Sequence, residues 1–228
     1  MTRQIDPRLR RAIDASIGWY EDLTALHGVH TRLEDGVWSS VGPPPPLHSA
    51  VVAVEPWVSV EQIERALEGR DGWGYKDSFA MLAPSRPAEL LFAATWIHRE
   101  PAPASEGRGR PQWRRLREPE ELARWNAGHD TAEVVLPGLL ERGHFAVLAR
   151  TVDGEIEAGA VARLGSGAVD LSNVHAREGA TVDWAELADV VGRLFPGRPI
   201  VGYERGDDLE AALAGGFEPI GDLRVWVG

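Results

Sequence analysis

Cysteine is absent from the 228 residues, so disulfides, thiolate zinc sites, iron–sulfur clusters and cysteine nucleophiles are all excluded. Lysine is nearly absent: Lys76 is the only one, and every other basic side chain apart from histidine is arginine. No run approaches the roughly 18 apolar residues of a membrane span. The opening "MTRQIDPRLRRAIDASI" lacks the apolar region of a signal peptide, so a cytoplasmic protein is expected. A surplus of positive charge is missing as well. The net charge is −11, which argues against nucleic acid as the main partner, since duplex binding is driven by Lys and Arg on phosphates. It does not forbid an anionic cofactor held by local backbone amides.

What is present is ordinary for a globular chain: 43% hydrophobic and 26% charged residues, enough for one large domain or two small ones. Apolar periodicity disappears across Arg99 to Glu121, where Pro, Gly, Ser and Arg crowd. This predicts an N-terminal half over 1–100, a linker over 101–117 and a C-terminal half over 118–228. The first half reads α-β-β-α-β-β. Its first helix runs from about Pro7 to Leu26, Asp35-Gly36 marks a hairpin or a bulge, and Ser59 with Gln62 forms a capping box. The four prolines of "VGPPPPLHS" exclude helix and central strand there. The second half reads α-α-β-β-β-α-β-α-β. Its centre is a three-stranded meander over 144–176, turning at Asp153-Gly154 and at Gly165-Ser166-Gly167. Both halves end in a strand with tryptophan near its end, "LLFAATWIHR" and "GDLRVWVG", which points to a diverged internal duplication. The fold class is therefore α/β (α+β).

The meander from Phe145 to His175, the loop and helix of "HAREGATVDWAEL", and the segment "AALAGGFEPIG" resemble the GCN5-related N-acetyltransferase (GNAT) superfamily over residues 118–228. The first half resembles a degenerate copy, as in tandem GNAT proteins. The resemblance implies a mixed sheet flanked by helices. It also implies transfer of an acetyl or other acyl group from acetyl-CoA or another acyl-CoA to the amine of a small molecule. The alternative is a catalytically degenerate GNAT-fold protein that binds a ligand or a protein partner. The order of monomer or homodimer stays open.

In the family the cofactor's pyrophosphate sits at the N-terminus of the helix after the long central strand, where free N–H groups and the helix dipole attract an anion. The resemblance carries this role to Val174, Ala176, Arg177, Gly179, Ala180 and Thr181. The family's Gln/Arg-x-x-Gly-x-Gly/Ala pattern is only partly kept. There is one glycine, Gly179 is two rather than three residues after Arg177, and Glu178 and Asp183 bring negative charge. Thr181 is the expected N-cap. For proton transfer the expected residues are Tyr203 as general acid, with Glu204 and His175 beside it at the carboxyl ends of adjacent strands. Ser172 and Asn173 are expected either to bond substrate or to mark a β-bulge.

Three further motifs were weighed. His27 and His30 lack a matching acidic ligand, so no metal is expected. "GRGRP", Gly107 to Pro111, has the core of a minor-groove AT-hook, but an arginine-rich linker explains it as well. Glu155 and Glu157 read as a solvated strand face.

Overall fold

The computed structural model describes residues 5–85, 87–101 and 112–228. The AT-hook core lies outside these residues. No helix among the described residues is long and apolar enough to cross a membrane.

The elements follow the chain as α1 (Pro7–Leu26), β1 (His30–Glu34), β2 (Val37–Val41), β3 (Val51–Ala53), α2 (Val60–Ala66), β4 (Gly74–Asp77) and β5 (Glu89–Arg99). The second half has β6 (Trp113–Arg115), α3 (Pro119–Ala127), a 3-10 turn at Pro137–Leu139, β7 (Phe145–Val152), β8 (Glu155–Leu164) and β9 (Val169–Ala176). It ends with α4 (Trp184–Leu194), β10 (Ile200–Glu204), α5 (Gly206–Ala214) and β11 (Glu218–Val227). The segment "VVLPGLLERG", expected as a short second helix or a turn, is a single 3-10 turn. The tail of the expected linker is structured: Trp113 and Leu116 are buried, and β6 pairs with β7 at the sheet edge.

Local chemistry explains most element ends. Asp6 caps α1 by accepting from the Arg8 N–H at 2.8 Å, and Pro7 fills the first helical position, where no donor is needed. Ser59 and Gln62 form the reciprocal capping box of α2. Asp35-Gly36 and Asp153-Gly154 turn their hairpins with φ of 49°, 79°, 50° and 86°, the left-handed pairs that a two-residue hairpin requires.

The eleven strands of the described residues form one mixed sheet in the order β1-β2-β3-β4-β11-β5-β10-β9-β8-β7-β6. Two βαβ units stand out, β3-α2-β4 and β9-α4-β10, each a parallel pair. The last strand of each half of the chain pairs with strands of the other half. β5 of the first half pairs with β10, β11 of the second half pairs with β4, and the two pair with each other.

One sheet face carries α1 and α3 over a core that includes Trp38, Trp96, Trp125, Phe145 and Val201. The other carries α4 and α5 over Trp184, Leu187 and Val191, and α2 over Val51, Ile63 and Tyr75. The middle of that second face is uncovered, with Ala93 and Asp222 exposed.

Helix α1 binds the halves together. Asp22 accepts from Arg163 Nε at 2.6 Å and from Arg142 at 2.6 Å, and lies 3.1 Å from His144 Nε2. Burial opposes the charge on Asp22, but the bonds and charges of Arg163 and His144 outweigh it and hold the carboxyl below its ordinary range.

Candidate functional site

The site is built where β9 and β10 part. They pair only at Ile200 with Val169 and at Val201 with Asp170. A Cβ at Gly202 would lie 2.6 Å from the Leu171 carbonyl oxygen, so only glycine permits this approach. Beyond it, Ser172–Ala176 pair with β8 and Gly202–Glu204 with β5, leaving a cleft between the two strands. A bulge lies on the cleft wall. The register shifts between Gly159–His175 and Val161–Ser172, and Asn173 takes φ 50°. The polar pair Ser172-Asn173 thus marks a bulge, one of the two outcomes expected for it, and Asn173 Nδ2 donates to Ser172 Oγ at 3.2 Å.

His175 follows the bulge and faces the α3 side. Its Nδ1 donates to the Asn173 carbonyl at 3.1 Å, which leaves Nε2 as the acceptor of a neutral ring. The ring stacks on His129 at 4.1 Å and meets the edge of Trp125 at 4.7 Å. Gly159 makes room for the His175 and Trp125 rings, since a Cβ there would sit 2.2 Å from each. Burial first, and the neighbouring His129, push the His175 pKa down to about 4, so the imidazole is uncharged at neutral pH.

Tyr203 lies on the same face. Burial pushes its pKa well above 10, so its hydroxyl keeps its proton through the neutral range. Trp96 meets it edge-on at 5.4 Å, and Lys76 Nζ lies 4.2 Å from its ring centroid. Lys76 is completely buried. It reaches from β4 beneath α1, donates to Ser16 Oγ at 2.9 Å, and has the rings of Trp96 and Tyr20 at 4.6 and 5.5 Å. Asp170, on β9, is the buried carboxylate of this layer.

Glu204 does not join the other two proton-transfer residues. Adjacent residues of a strand point to opposite faces, and Glu204 points to the far one. There it lines an open groove of about 270 Å³ with Thr95, Arg205, Asp222 and Arg224. Burial, then Asp208, raises its pKa to about 8. The expected trio is therefore corrected to Tyr203 and His175 on one face and Glu204 on the other.

The loop after β9 is the second departure. Val174 and Ala176 pack on the core beneath α4. Gly179 takes φ 79°, and Ala180 N–H donates to the Arg177 carbonyl at 3.0 Å. The Arg177 guanidinium is held by Glu157 Oε1 at 2.9 Å, so Glu157 is a tethered partner and not part of a merely solvated face. The N-cap of α4 is Asp183, two residues past the expected Thr181. Its carboxylate accepts the Glu186 N–H at 2.9 Å, which takes one of the amides an anion would use. Glu186, in the same turn, accepts from the Gln112 N–H at 3.0 Å. The acidic first turn of α4 fits a pyrophosphate poorly.

Sequence reasoning missed Lys76, Asp170, Tyr20, Trp96 and His129. One signal was available for the first: a lone lysine, in a chain that otherwise uses arginine, standing in a strand-like run. Among the described residues no group of three or more His, Asp or Glu could hold a metal ion.

No protein-family model matches the chain, and no curated protein matches it. Solved structures do. A GCN5-related N-acetyltransferase from Kribbella flavida is 13% identical with a TM-score of 0.62, covering 95% of each chain. A functionally unknown conserved protein from Staphylococcus epidermidis is 11% identical with a TM-score of 0.65, covering 87% of this chain and 93% of that one. A GCN5-related N-acetyltransferase-like protein from Streptococcus suis is 12% identical with a TM-score of 0.52, covering 96% and 97%. At such identities the likeness carries the fold alone: this chain has a GNAT-type fold, matched over nearly its whole length.

Proposed function

We propose that the protein is an N-acyltransferase that moves an acyl group from acyl-CoA to the amine of a small molecule, in the cleft between β9 and β10. The observation that carries this is the opening of that strand pair beside a bulge, with Tyr203 and His175 on one face. Bound there, the cofactor would supply an activated thioester. The edge of β9 beyond Asp170, which β10 does not pair, would hold its arm, and the backbone of the turn at Arg177–Ala180 would lie nearest its phosphates. Tyr203, protonated at neutral pH, suits the donor that returns a proton to a leaving thiolate. His175 Nε2 suits an acceptor for the amine proton, but a pKa near 4 makes it a weak one. We read the halves as diverged copies, on the strength of the two βαβ units and the exchanged last strands.

One observation favours a second reading, a GNAT-fold binding protein without catalysis. It is the acidic start of α4, where Asp183 caps the helix itself.

Melting the protein with and without acetyl-CoA tests both. Cofactor at a hundred times its dissociation constant should stabilise by about 2.7 kcal/mol. No shift at millimolar cofactor would end the enzyme reading. If binding is seen, Tyr203→Phe should lower kcat by roughly tenfold or more with the cofactor affinity kept. Unchanged turnover would remove Tyr203 from the acid role.

A further inference from the structure

The first half holds a groove that the cleft between β9 and β10 does not use. Helix α2 lies over β2 and β3 and leaves β1 uncovered. Between the helix and the β1–β2 hairpin runs a cavity of about 400 Å³. Cross-strand pairing puts Arg32 beside Ser39, and Glu34 beside Val37, on its floor. Gln62, Arg65 and Ala66 of α2 form its wall, one helical face by their spacing.

Both ends are bridged. At one end Gln62 Nε2 donates to the Asp35 carbonyl at 3.2 Å, and its Oε1 accepts the Ser59 N–H at 2.9 Å. At the other end Arg70 donates to the Ala66 carbonyl at 3.1 Å, to the Ser40 carbonyl at 2.5 Å and to the Gly42 carbonyl at 3.0 Å. These bridges fix the helix to the hairpin at the width of the groove, so a ligand would find it already formed.

The charges are divided along its length. Glu34 and Asp35 lie at the turn end, where Glu34 is 3.4 Å from Arg32. Arg70 at the far end has, among the described residues, carbonyl and hydroxyl acceptors and no carboxylate partner. Its burial alone lowers its pKa. Arg65 stands between, exposed on the wall. Val37, Val41 and Ala66 add an apolar lining. Positive charge in a concave, preformed site on a protein of net charge −11 selects an anion locally against the overall field. Guanidinium groups bind carboxylate and phosphate oxygens through paired N–H donors.

We infer that this groove binds a small organic oxyanion, a carboxylate or phosphate head on a short apolar body, with Arg65 at the head, the charge of the anchored Arg70 adding to the local field, and Ser39 as a hydroxyl partner. The inference is independent of acyl transfer.

Calorimetry with the full chain at low salt tests it, using benzoate and phenyl phosphate as probes. They share an apolar ring and differ in the head, so their ranking tells carboxylate from phosphate. Binding of either at one per chain is expected, with Arg65→Gln weakening it by roughly fivefold or more. Added salt should weaken it too. Ser39→Ala serves as a second variant that leaves the charges in place and should weaken binding less than Arg65→Gln. Melting each variant checks that the fold is kept. If neither probe binds at several millimolar, or if Arg65→Gln binds as tightly as the parent, the inference is overturned. The second result would put the anion elsewhere, such as the start of α4.

Discussion

Lys76 and Asp170 place two ionisable groups inside the protein, where a charge is costly unless it is matched. Burial pushes the Lys76 pKa down to about 7, although Asp170 favours its charge. Burial pushes the Asp170 pKa up to about 6, against the pull of Lys76 and Arg163. The signs follow from proton counting. A lysine with a lowered folded pKa contributes stability that is full above its unfolded value and is lost as pH falls through about 7. A carboxyl with a raised folded pKa contributes stability that is full below its unfolded value and is lost as pH rises through about 6. In Lys76→Met the first contribution disappears, and the second deepens because Asp170 loses its cation. Both changes move the same way with pH. The variant should therefore lose stability relative to the parent as pH rises from 5 to 9, read from urea unfolding at each pH. Glu204 titrates in both chains and cancels in the difference. Parallel curves would show that Lys76 keeps an ordinary pKa in the fold and that Asp170 does not respond to its charge.

At the start of α4 a helix cap competes with a ligand. The Asp183 carboxylate satisfies the Glu186 amide and complements the helix dipole, and both effects stabilise the helix without a cofactor. The same charge repels an anion. Asp183→Asn separates the two, because asparagine caps about as well as aspartate. The variant should stay within about 1 kcal/mol of the parent in stability and bind acetyl-CoA several-fold more tightly by calorimetry. Equal or weaker binding would mean that the phosphates do not approach this turn. The cap also shows where sequence was legible. The Asp153-Gly154 turn and the Ser59–Gln62 box could be read directly, because their chemistry is complete within four residues, whereas Asp35-Gly36 left hairpin and bulge open. The bulge was half-read, because two polar residues in a central strand signal irregularity without saying its kind. Thr181 and Asp183 are both good caps, and the choice fell on Asp183 through the path of the loop. Trp113 sits in an arginine-rich stretch that reads as linker, and only its pairing with Arg150 on β7 makes it a strand. The burial of Lys76 was invisible for the same reason. It depends on Ser16, Trp96 and Tyr203, which are distant in sequence.

The exchange of β5 and β11 decides how the whole molecule holds together. A fragment that keeps only the second half would lose β5, the partner of both β10 and β11, and would expose two long strand edges. It would also lose α1, whose Asp22 holds Arg142, His144 and Arg163, and whose Trp19 lies 5.9 Å from Phe145. Removing Asp22 from that cluster leaves the three basic groups without their shared carboxylate, in partly buried positions where such bonds contribute about 1.5–3 kcal/mol each. The first half alone would lose β11 from β4 and the charge of Asp170 on β9, which favours the Lys76 cation. Neither half keeps a closed core, so the chain should unfold as one cooperative unit. Cutting it between Pro101 and Gln112 makes this measurable. Each fragment alone should show little protected backbone in hydrogen exchange. Mixed together they should regain the protection of the intact chain, since the strand pairing that joins them needs no covalent link. A second-half fragment that folds by itself, with a melting transition of its own, would show that β11 can return to its own half. The exchange would then be a property of the joined chain and not a requirement of the fold.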